Sequence, residues 1–395
     1  MHAPRLIRDA SLSTLTAGFV ISLVGVTSSI AIVFQAARNL GANEAQVASW
    51  LFATAFLSGA LSAGLSLRYR MPIMIAWSTP GAAVIASTAA SGRHSLATAT
   101  GAFVVVGVVS AIIGFTGAFT AMVGRIPPAL ASALLAGVLA HFALDAFAGA
   151  TAQPVIVVSM FAAYLAGRRL LPRYVMLIVL VTGAVAAALT GEFAADTVTF
   201  GFAHPQWVTP HLDLAELVSI GLPLFIVTMA GQNLPGVATI RTYEYPVPIN
   251  RVIGICGLGS IVGAPFGGYA VNLAAITAAM GMGPSAHEDR SRRYTAAVIA
   301  GFFYLAVAVL GTTLTSLLLA FPAELVQALA GLALIATIVS SLRTAVTAGD
   351  RERDAAVITF LVVLSGVRLL GIGAPFWGAV AGIVAFAVLP RPRMA

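Results

Sequence analysis

Charge is scarce in this chain. Only 9% of its 395 residues are Asp, Glu, Lys or Arg, against about 25% in a soluble domain. Lysine is missing altogether, so all 21 cationic residues are arginines. With 59% of residues hydrophobic and a mean hydropathy of +0.98, no water-soluble fold hides this much apolar side chain, and the solvent has to be lipid. One cysteine, Cys256, excludes an intramolecular disulfide or a cysteine-based metal site; lying in an apolar run, it reads as a small packing residue. There is no His-rich cluster, no HExxH, no phosphate-binding Gly loop and no Ser-His-Asp set at membrane depth. A membrane-embedded enzyme is therefore disfavoured, and no cofactor is expected beyond a proton as coupling ion. The formal charge of +7 and pI near 10.2 would suggest nucleic acid in a soluble protein; here a topological cause is expected, with lipid and not nucleic acid as the partner.

What the chain does have is apolar runs. Arg5 and Arg8 before the first one superficially resemble a signal peptide, but the run is too long, lacks a clear cleavage site and is followed by many others. Cutting at Asp, Glu and Arg leaves thirteen windows, from Ala10–Ala37 to Leu369–Pro390, near the roughly 20 residues a spanning helix needs. Val252–Ala286 would be roughly 50 Å as one helix, beyond a hydrocarbon core of about 30 Å. Gly263, Pro265, Gly267 and Gly268 break it in the middle. Counted as two, it brings the total to fourteen spans with both termini on one side. If that side is the cytoplasm, Arg5, Arg8, Arg125, Arg173, Arg391, Arg393 and most others fall inside. Only Arg38, Arg93 and Arg368 fall outside, the bias of the positive-inside rule. This also accounts for the basic pI.

Residues 192–213 form the longest outside segment, with Glu192, Asp196 and Asp213 and no arginine. Seven spans precede it and seven follow, an odd number that forces the halves into opposite orientations, the inverted-repeat plan of many transporters. At an offset of 194, Pro128 matches Pro322, Leu135-Ala136-Gly137 matches Leu329-Ala330-Gly331, Gly107 matches Gly301 and Gly117 matches Gly311. The expected fold class is thus an all-α polytopic membrane protein built as a 7+7 repeat, with short extended segments in spans 3 and 10.

Those segments are Met71 to Gly81 and Ala264 to Leu273, the third spans of their halves. Each opens with a proline, runs through a stretch able to be extended, and continues as small-residue helix. Ser78 or Thr79 can N-cap a helix with Pro80 at its start, and Asn272 can cap one beginning near Leu273. A half-helix starting inside a membrane aims unpaired N–H groups and partial positive charge at the centre. Two such ends facing each other make a carboxylate site without any cationic side chain; a pair of proline kinks with only a packing role is the plainer alternative. Two polar clusters fall in the first spans of the halves, Thr27-Ser28-Ser29 and Gln232-Asn233. The hydroxyls either line a cavity or bond their own helix carbonyls; Gln232 and Asn233 are costly in lipid unless they face a cavity or another helix. Trp77, Tyr269 and Phe225 are candidate partners for an aromatic substrate ring. The stripe Gly259-xxx-Gly263-xxx-Gly267 is assigned to packing, and a homodimer is left open.

At Ile75-Ala76-Trp77-Ser78-Thr79-Pro80-Gly81, Met229-Ala230-Gly231-Gln232-Asn233-Leu234-Pro235-Gly236 and Ala264 to Leu273, the sequence resembles the bacterial benzoate:proton symporter family, and the likeness runs over essentially the whole chain. That family looks like a distant relative of uracil and xanthine permeases. The resemblance implies a core domain from residues 1–124 (spans 1–4) and 214–320 (spans 8–11). It implies a gate domain from 125–191 (spans 5–7) and 321–395 (spans 12–14), the two halves joined through 192–213. It also implies a multi-pass protein of the bacterial inner membrane importing benzoate or a related aromatic carboxylate, with substrate-binding candidates Thr27, Ser28, Trp77, Ser78, Thr79, Gln232, Asn233, Tyr269 and Asn272. Nucleobase permeases carry acidic residues in spans 8 and 10, where this chain has Gln232, Asn233 and Asn272. Amides donate to an anion that a carboxylate repels, which favours an organic anion; a nucleobase or inorganic-anion permease is the alternative, and a channel is disfavoured. For the proton, His141 and Asp145 share one helix face four residues apart. Glu44 and Glu324 read as helix-start residues, and Arg368 as snorkelling outward or countering an anion near the exit. The proton can also ride on the substrate as benzoic acid.

Overall fold

In the computed structural model the described residues are 6, 8–90, 94–119, 127–172, 174–284, 286–369 and 373–390. Arg5, Arg93, Arg125, Arg173, Arg391 and Arg393 of the charge argument lie outside them. The protein is mostly helical, and among the described residues eight helices are long and apolar enough to cross a membrane by length and composition.

The first rod is interrupted. Helix α1 (Leu12–Thr27) and α2 (Ile30–Asn39) meet at Ser28 and Ser29, where three successive hydroxyls turn back on carbonyls of the preceding turn: Thr27 on Leu23 at 2.8 Å, Ser28 on Gly25 at 3.3 Å and Ser29 on Gly25 at 2.8 Å. Hydroxyls that compete for helix carbonyls in this way bend helices. Helix α3 (Glu44–Tyr69) opens on an Asn43–Gln46 capping box, with Glu44 in the first turn where the helix dipole favours it.

The chain then runs extended into strand β1 (Ile75–Trp77) and helix α4 (Thr79–Ala89). Helix α5 (Leu96–Thr116) stops at Gly117, which takes the left-handed conformation at φ 76°. Next come α6 (Pro128–Ala148), α7 (Pro154–Leu170) and α8 (Val175–Thr190). After a long connection, α9 (Leu214–Thr242) contains two π-helical turns, Leu217–Gly221 and Met229–Asn233. Each lies just before a proline, Pro223 and Pro235. A proline ring clashes with the carbonyl four residues back, and a widened turn relieves it.

The second half continues with α10 (Ile249–Gly263), a 3-10 turn over Ala264–Phe266, strand β2 (Val271–Leu273) and the short α11 (Ile276–Met282). Gly267, at φ 95°, makes the reversal between them, and a side chain there would strike the Trp50 indole. Helices α12 (Tyr294–Val309), α13 (Gly311–Ala320), α14 (Ala323–Val346), α15 (Asp350–Leu364) and α16 (Ala374–Val388) complete the chain. Glu324 falls in the first turn of α14. The window expected as one span over Tyr294–Ala323 is two helices, divided at Leu310. Gly311 has no room for a side chain against the Ala48 carbonyl, and it is the offset partner of Gly117, where α5 also ends.

The strands expected at 71–81 and 264–273 are therefore present, and they pair with each other. β1 and β2 run antiparallel in the register Ile75↔Leu273, Ala76↔Asn272, Trp77↔Val271. The Ser78 N–H extends the ladder to the Ala270 carbonyl and the Ala274 N–H to the Met74 carbonyl, both at 3.0 Å.

Two strands leave two open edges, and buried backbone groups need partners. On the β1 side α3 supplies them with serines one turn apart. Ser66 Oγ accepts the Ile73 N–H at 3.1 Å and donates to the Ile73 carbonyl at 3.0 Å. Ser62 Oγ does the same for Ile75, at 2.9 and 3.0 Å. On the β2 side Ser260 Oγ of α10 accepts the Val271 N–H at 3.1 Å, and Asn233 Oδ1 accepts the Leu273 N–H at 3.0 Å. Gly259, Gly263 and Gly267 face Leu61, Leu57 and Trp50 of α3, so the glycine stripe serves close packing within the chain.

Helix pairings fall into two sets. In one, α5 packs on α10, α12 on α1 and α3, and α2 on α4; in the other, α6 packs on α14 and α15, α7 on α8, and α15 on α16.

Candidate functional site

Ser78 is the hinge between strand and helix. Its backbone is extended, and its Oγ accepts the Gly81 N–H at 3.1 Å, so that Ser78 is the N-cap of α4, Thr79 the first helical residue and Pro80 the second. The same hydroxyl meets Thr228 Oγ1 of α9 at 2.9 Å, and the Ser78 carbonyl accepts Tyr269 Oη at 3.1 Å. With Gly81 satisfied and proline carrying no N–H, the Thr79 amide is the donor left at this helix end. Across from it, the turn Ala274–Thr277 leads into α11. The expected Asn272 cap is not made. α11 starts at Ile276 with no side-chain cap, and Asn272 Nδ2 instead donates to the Leu273 carbonyl at 3.0 Å. A cap must sit directly before its helix, and Asn272 is held in the ladder opposite Ala76.

A cavity of about 400 Å³ lies between these two ends. Its deep wall is Trp77, Thr79 and Ala76 from the first break and Ala274 to Thr277 from the second. The π-turn of α9 brings in Gln232, and the interruption of the first rod brings in Ser28 and Ser29. On the remaining side α6 contributes Ser132 and Leu135, and α14 contributes Thr337, Ser340, Ser341 and Thr344. Ser340 and Thr344 are exposed and form the mouth. No charged side chain lines the cavity among the described residues. Polarity comes from one carboxamide, hydroxyls and backbone; the apolar surface includes the Trp77 indole, whose Nε1 donates to Ser29 Oγ at 2.9 Å. Tyr304 stands edge-on to that indole with ring centroids 5.6 Å apart.

Of the candidates read from sequence, the structure brings Ser28, Trp77, Thr79 and Gln232 to the cavity surface. Thr27, Ser78, Asn233, Tyr269 and Asn272 do not reach it. All five are buried, and they hold the wall from behind: Thr27 bonds its own helix and Asn233 pins β2. Tyr269, held to Ser78, packs between Trp50 and Phe103. The Asn272 Oδ1 has no partner among the described residues. Phe225 is also off the surface. Ser29, Ser132, Thr277, Tyr304 and the α14 hydroxyls are additions. Ser29 stood in the quoted cluster, whereas the α14 residues looked like ordinary helix polarity, and only the packing of α14 on α6 puts them at the mouth.

His141 and Asp145 lie elsewhere, in a second cavity of about 230 Å³ that also takes in Ser87, Thr88 and Arg368. His141 Nε2 is 3.3 Å from the Val363 carbonyl, and Arg368 donates to the Thr88 carbonyl at 3.5 Å. A buried pair absent from the sequence reading, His94 Nδ1 and Glu216 Oε2 at 2.7 Å, ties α5 to the start of α9. Outside the membrane-crossing rods, Asp9 accepts Tyr294 Oη at 2.9 Å and Arg70 at 2.6 Å. The tyrosine hydrogen bond, then the guanidinium, hold its carboxyl below the usual range.

Paired broken rods around an uncharged pocket that opens at Ser340 and Thr344, in a bundle of apolar helices, define a multi-pass membrane transporter. The fold is that of the transmembrane domain of the cyanobacterial bicarbonate transporter BicA, with a TM-score of 0.63 at 14% identity over 94% of this chain and 97% of that one. It also matches SLC26A9, with a TM-score of 0.63 at 12% identity over 97% of this chain and 65% of that one. Residues 8–388 match the family described as benzoate membrane transport protein, and the chain belongs to that family. Similar relatives are the inner membrane protein YdcO of Escherichia coli K12, 42% identical over 376 residues and 95% of both chains. Another is the benzoate membrane transport protein of Acinetobacter baylyi, 35% identical over 386 residues, 98% of this chain and 97% of that one.

Proposed function

We propose that this protein imports benzoate, or a closely related aromatic carboxylate, across the bacterial inner membrane by proton symport. The observation that carries the reading is the central cavity. It offers an aromatic wall at Trp77, a carboxamide at Gln232, the Thr277 hydroxyl and the Thr79 amide at the start of α4, with no carboxylate among the described lining residues to repel an anion. Amide and hydroxyl donors suit a carboxylate, and the α4 dipole favours negative charge at its start. Ser78, Asn233, Tyr269, Asn272 and Thr27 hold these groups in place. The names of the two relatives support the location and the substrate class.

Fourteen spans in two inverted sevens remain our reading of the topology. It is supported by the matched interruptions of the first and third rods of each half and by the helix ends at Gly117 and Gly311. The two packing sets support core and gate domains with the boundaries expected above. Both termini and the cavity mouth at Ser340 and Thr344 then face the cytoplasm, following the arginine bias.

Purified protein in proteoliposomes tests this. Under an inward proton gradient, labelled benzoate accumulates and a protonophore abolishes accumulation, while uracil and bicarbonate do not compete. Gln232→Leu weakens benzoate binding on the order of tenfold, the worth of a hydrogen bond to a charged group. Folded protein that accumulates no benzoate removes the proposal, and unchanged affinity in the leucine variant removes Gln232 from the site.

A further inference from the structure

The second cavity shares α4 and α6 with the first. On α6, Ser132 and Leu135 border the central cavity, while Val138, His141 and Asp145 border the other. Steps of three residues wind this lining round α6, so that Ser132 and His141 lie about 180° apart on the helix, with about 20 Å along the axis from Ser132 to Asp145. Helix α4 is shared in the same way, with Thr79 at the central cavity and Ser87 and Thr88 at the other. Between them Pro80–Ala86 are all buried, and on α6 the division between the cavities is a single turn from Leu135 to Val138. The two cavities thus lie at different levels of the packed α4–α6 pair, closed from each other by apolar side chains.

The chemistry of the far cavity differs from the near one. Its floor is apolar, from Val138, Val363 and Pro375, and its rim carries charge. Arg368, on the connection from α15 to α16, uses one long hydrogen bond to the Thr88 carbonyl, out of the five N–H donors a guanidinium has. His141 and Asp145 face the same space from α6. Helix α4 adds only Ser87, Thr88 and Ala90, and the start of α16 adds no charge. Glu324, in the first turn of α14, packs against Gly149, one turn beyond Asp145 and off the cavity lining. Arg93 lies outside the described residues.

From this geometry we infer that the far cavity is a second, outward-facing binding site for the same small aromatic carboxylate, in which Arg368 holds the anion and His141 and Asp145 admit it together with a proton. The inference rests on the benzoate reading. With Asp145 ionised and His141 neutral, the described rim residues sum to no net charge and the carboxylate of Asp145 opposes the anion. One proton on either group leaves the rim net positive. Anion affinity therefore rises as the outside pH falls, and by reciprocity the bound anion raises proton affinity. Apolar floor and guanidinium together select an anion carrying a hydrophobic body over a bare inorganic one.

The test compares uptake with binding. In proteoliposomes, Arg368→Gln raises the half-saturating external benzoate for uptake on the order of tenfold, and Arg368→Lys recovers part of the loss. Equilibrium binding of benzoate to the detergent-solubilised variant keeps the central-cavity component and loses the second one, and the retained component shows that the protein is folded. Asp145→Asn lowers the half-saturating concentration at neutral pH, because the carboxylate that opposes the anion is gone. Wild-type concentration dependence in Arg368→Gln overturns the inference, as does equilibrium binding that keeps the wild-type stoichiometry or loses the central-cavity component as well. An Asp145→Asn protein whose half-saturating concentration at neutral pH equals that of wild type overturns the part given to Asp145. Wild-type protein that binds no benzoate removes the proposed function itself, a result distinct from any of these.

Discussion

Three serines on one face of α3 give an internally controlled experiment on how the substrate cavity is held open. Ser58, Ser62 and Ser66 are four residues apart and fully buried. Ser62 and Ser66 each make two hydrogen bonds to β1, at 2.9 to 3.1 Å, whereas the Ser58 hydroxyl has no partner among the described residues. Each bond is worth about 1 kcal/mol net, and an unpaired buried group costs about 1–3 kcal/mol. Ser62→Ala orphans both backbone groups of Ile75, itself 0% exposed. The expected loss is about 2 kcal/mol, a factor of roughly 30 in the folded-to-unfolded ratio. Ser66→Ala, acting on Ile73, costs about the same. Ser58→Ala removes a hydroxyl that is already unsatisfied, so it leaves stability unchanged or slightly raised. The assay is thermal or denaturant unfolding of detergent-solubilised protein, followed by benzoate titration. Ser62→Ala, acting two residues nearer Trp77, also weakens binding more than Ser66→Ala. Equal destabilisation by all three alanines, or a neutral Ser62→Ala, refutes the idea that α3 acts as a third strand's edge.

Two further outcomes follow from side chains at and below the cavity. Gly25 has no space for a methyl group beneath the Tyr304 hydroxyl. Gly25→Ala therefore pushes Tyr304 against Trp77 and weakens benzoate binding by about 1–3 kcal/mol, the usual cost of overpacking, and adding Tyr304→Phe restores most of it; a titration in which the double variant is no better than the single one rejects that route. Asp9 is a depressed carboxylate, so its contribution to stability is complete above its unfolded value of about 3.9 and disappears as pH falls through the lower folded value. Unfolding temperatures measured from neutral pH downward should show an acid-side loss in wild type that Asp9→Asn lacks, and matching slopes would reject the assignment.

The places where the helices break were legible because the signals are covalent. Pro72, Pro80 and Pro265 forbid helix interior, Gly267 takes a φ that other residues avoid, and Ser78 is a cap by type and spacing. Pairing of the two breaks was not legible. It depends on which residues the rest of the bundle brings together, and local sequence carries no record of the Ala76–Asn272 register. The same limit explains the site. Ser28, Trp77, Thr79 and Gln232 lie next to a break and turn toward the cavity. Tyr269 and Asn272 sit equally near a break but are held in the wall by contacts that local sequence does not record, Tyr269 Oη on the Ser78 carbonyl and Asn272 Nδ2 on the Leu273 carbonyl. Asn233 took a role outside the reading altogether, since the π-turn at Met229–Asn233 shifts it off the face a regular helix would give. The mouth residues on α14 left no mark in the sequence, where serine and threonine in an apolar helix are commonplace.

The floor of the cavity is shared between the two halves, so it cannot exist while the chain is still being made. When α4 has emerged from the ribosome, the Met74 carbonyl and the Ser78 amide have no mates, because Ala274 and Ala270 are not yet translated. Ser62 and Ser66 are already present and satisfy one side of the nascent strand. The other side must wait in contact with water or the insertion machinery, since hydrocarbon offers it nothing. Separately expressed halves should each insert yet bind no ligand, and only their co-expression should rebuild the pocket.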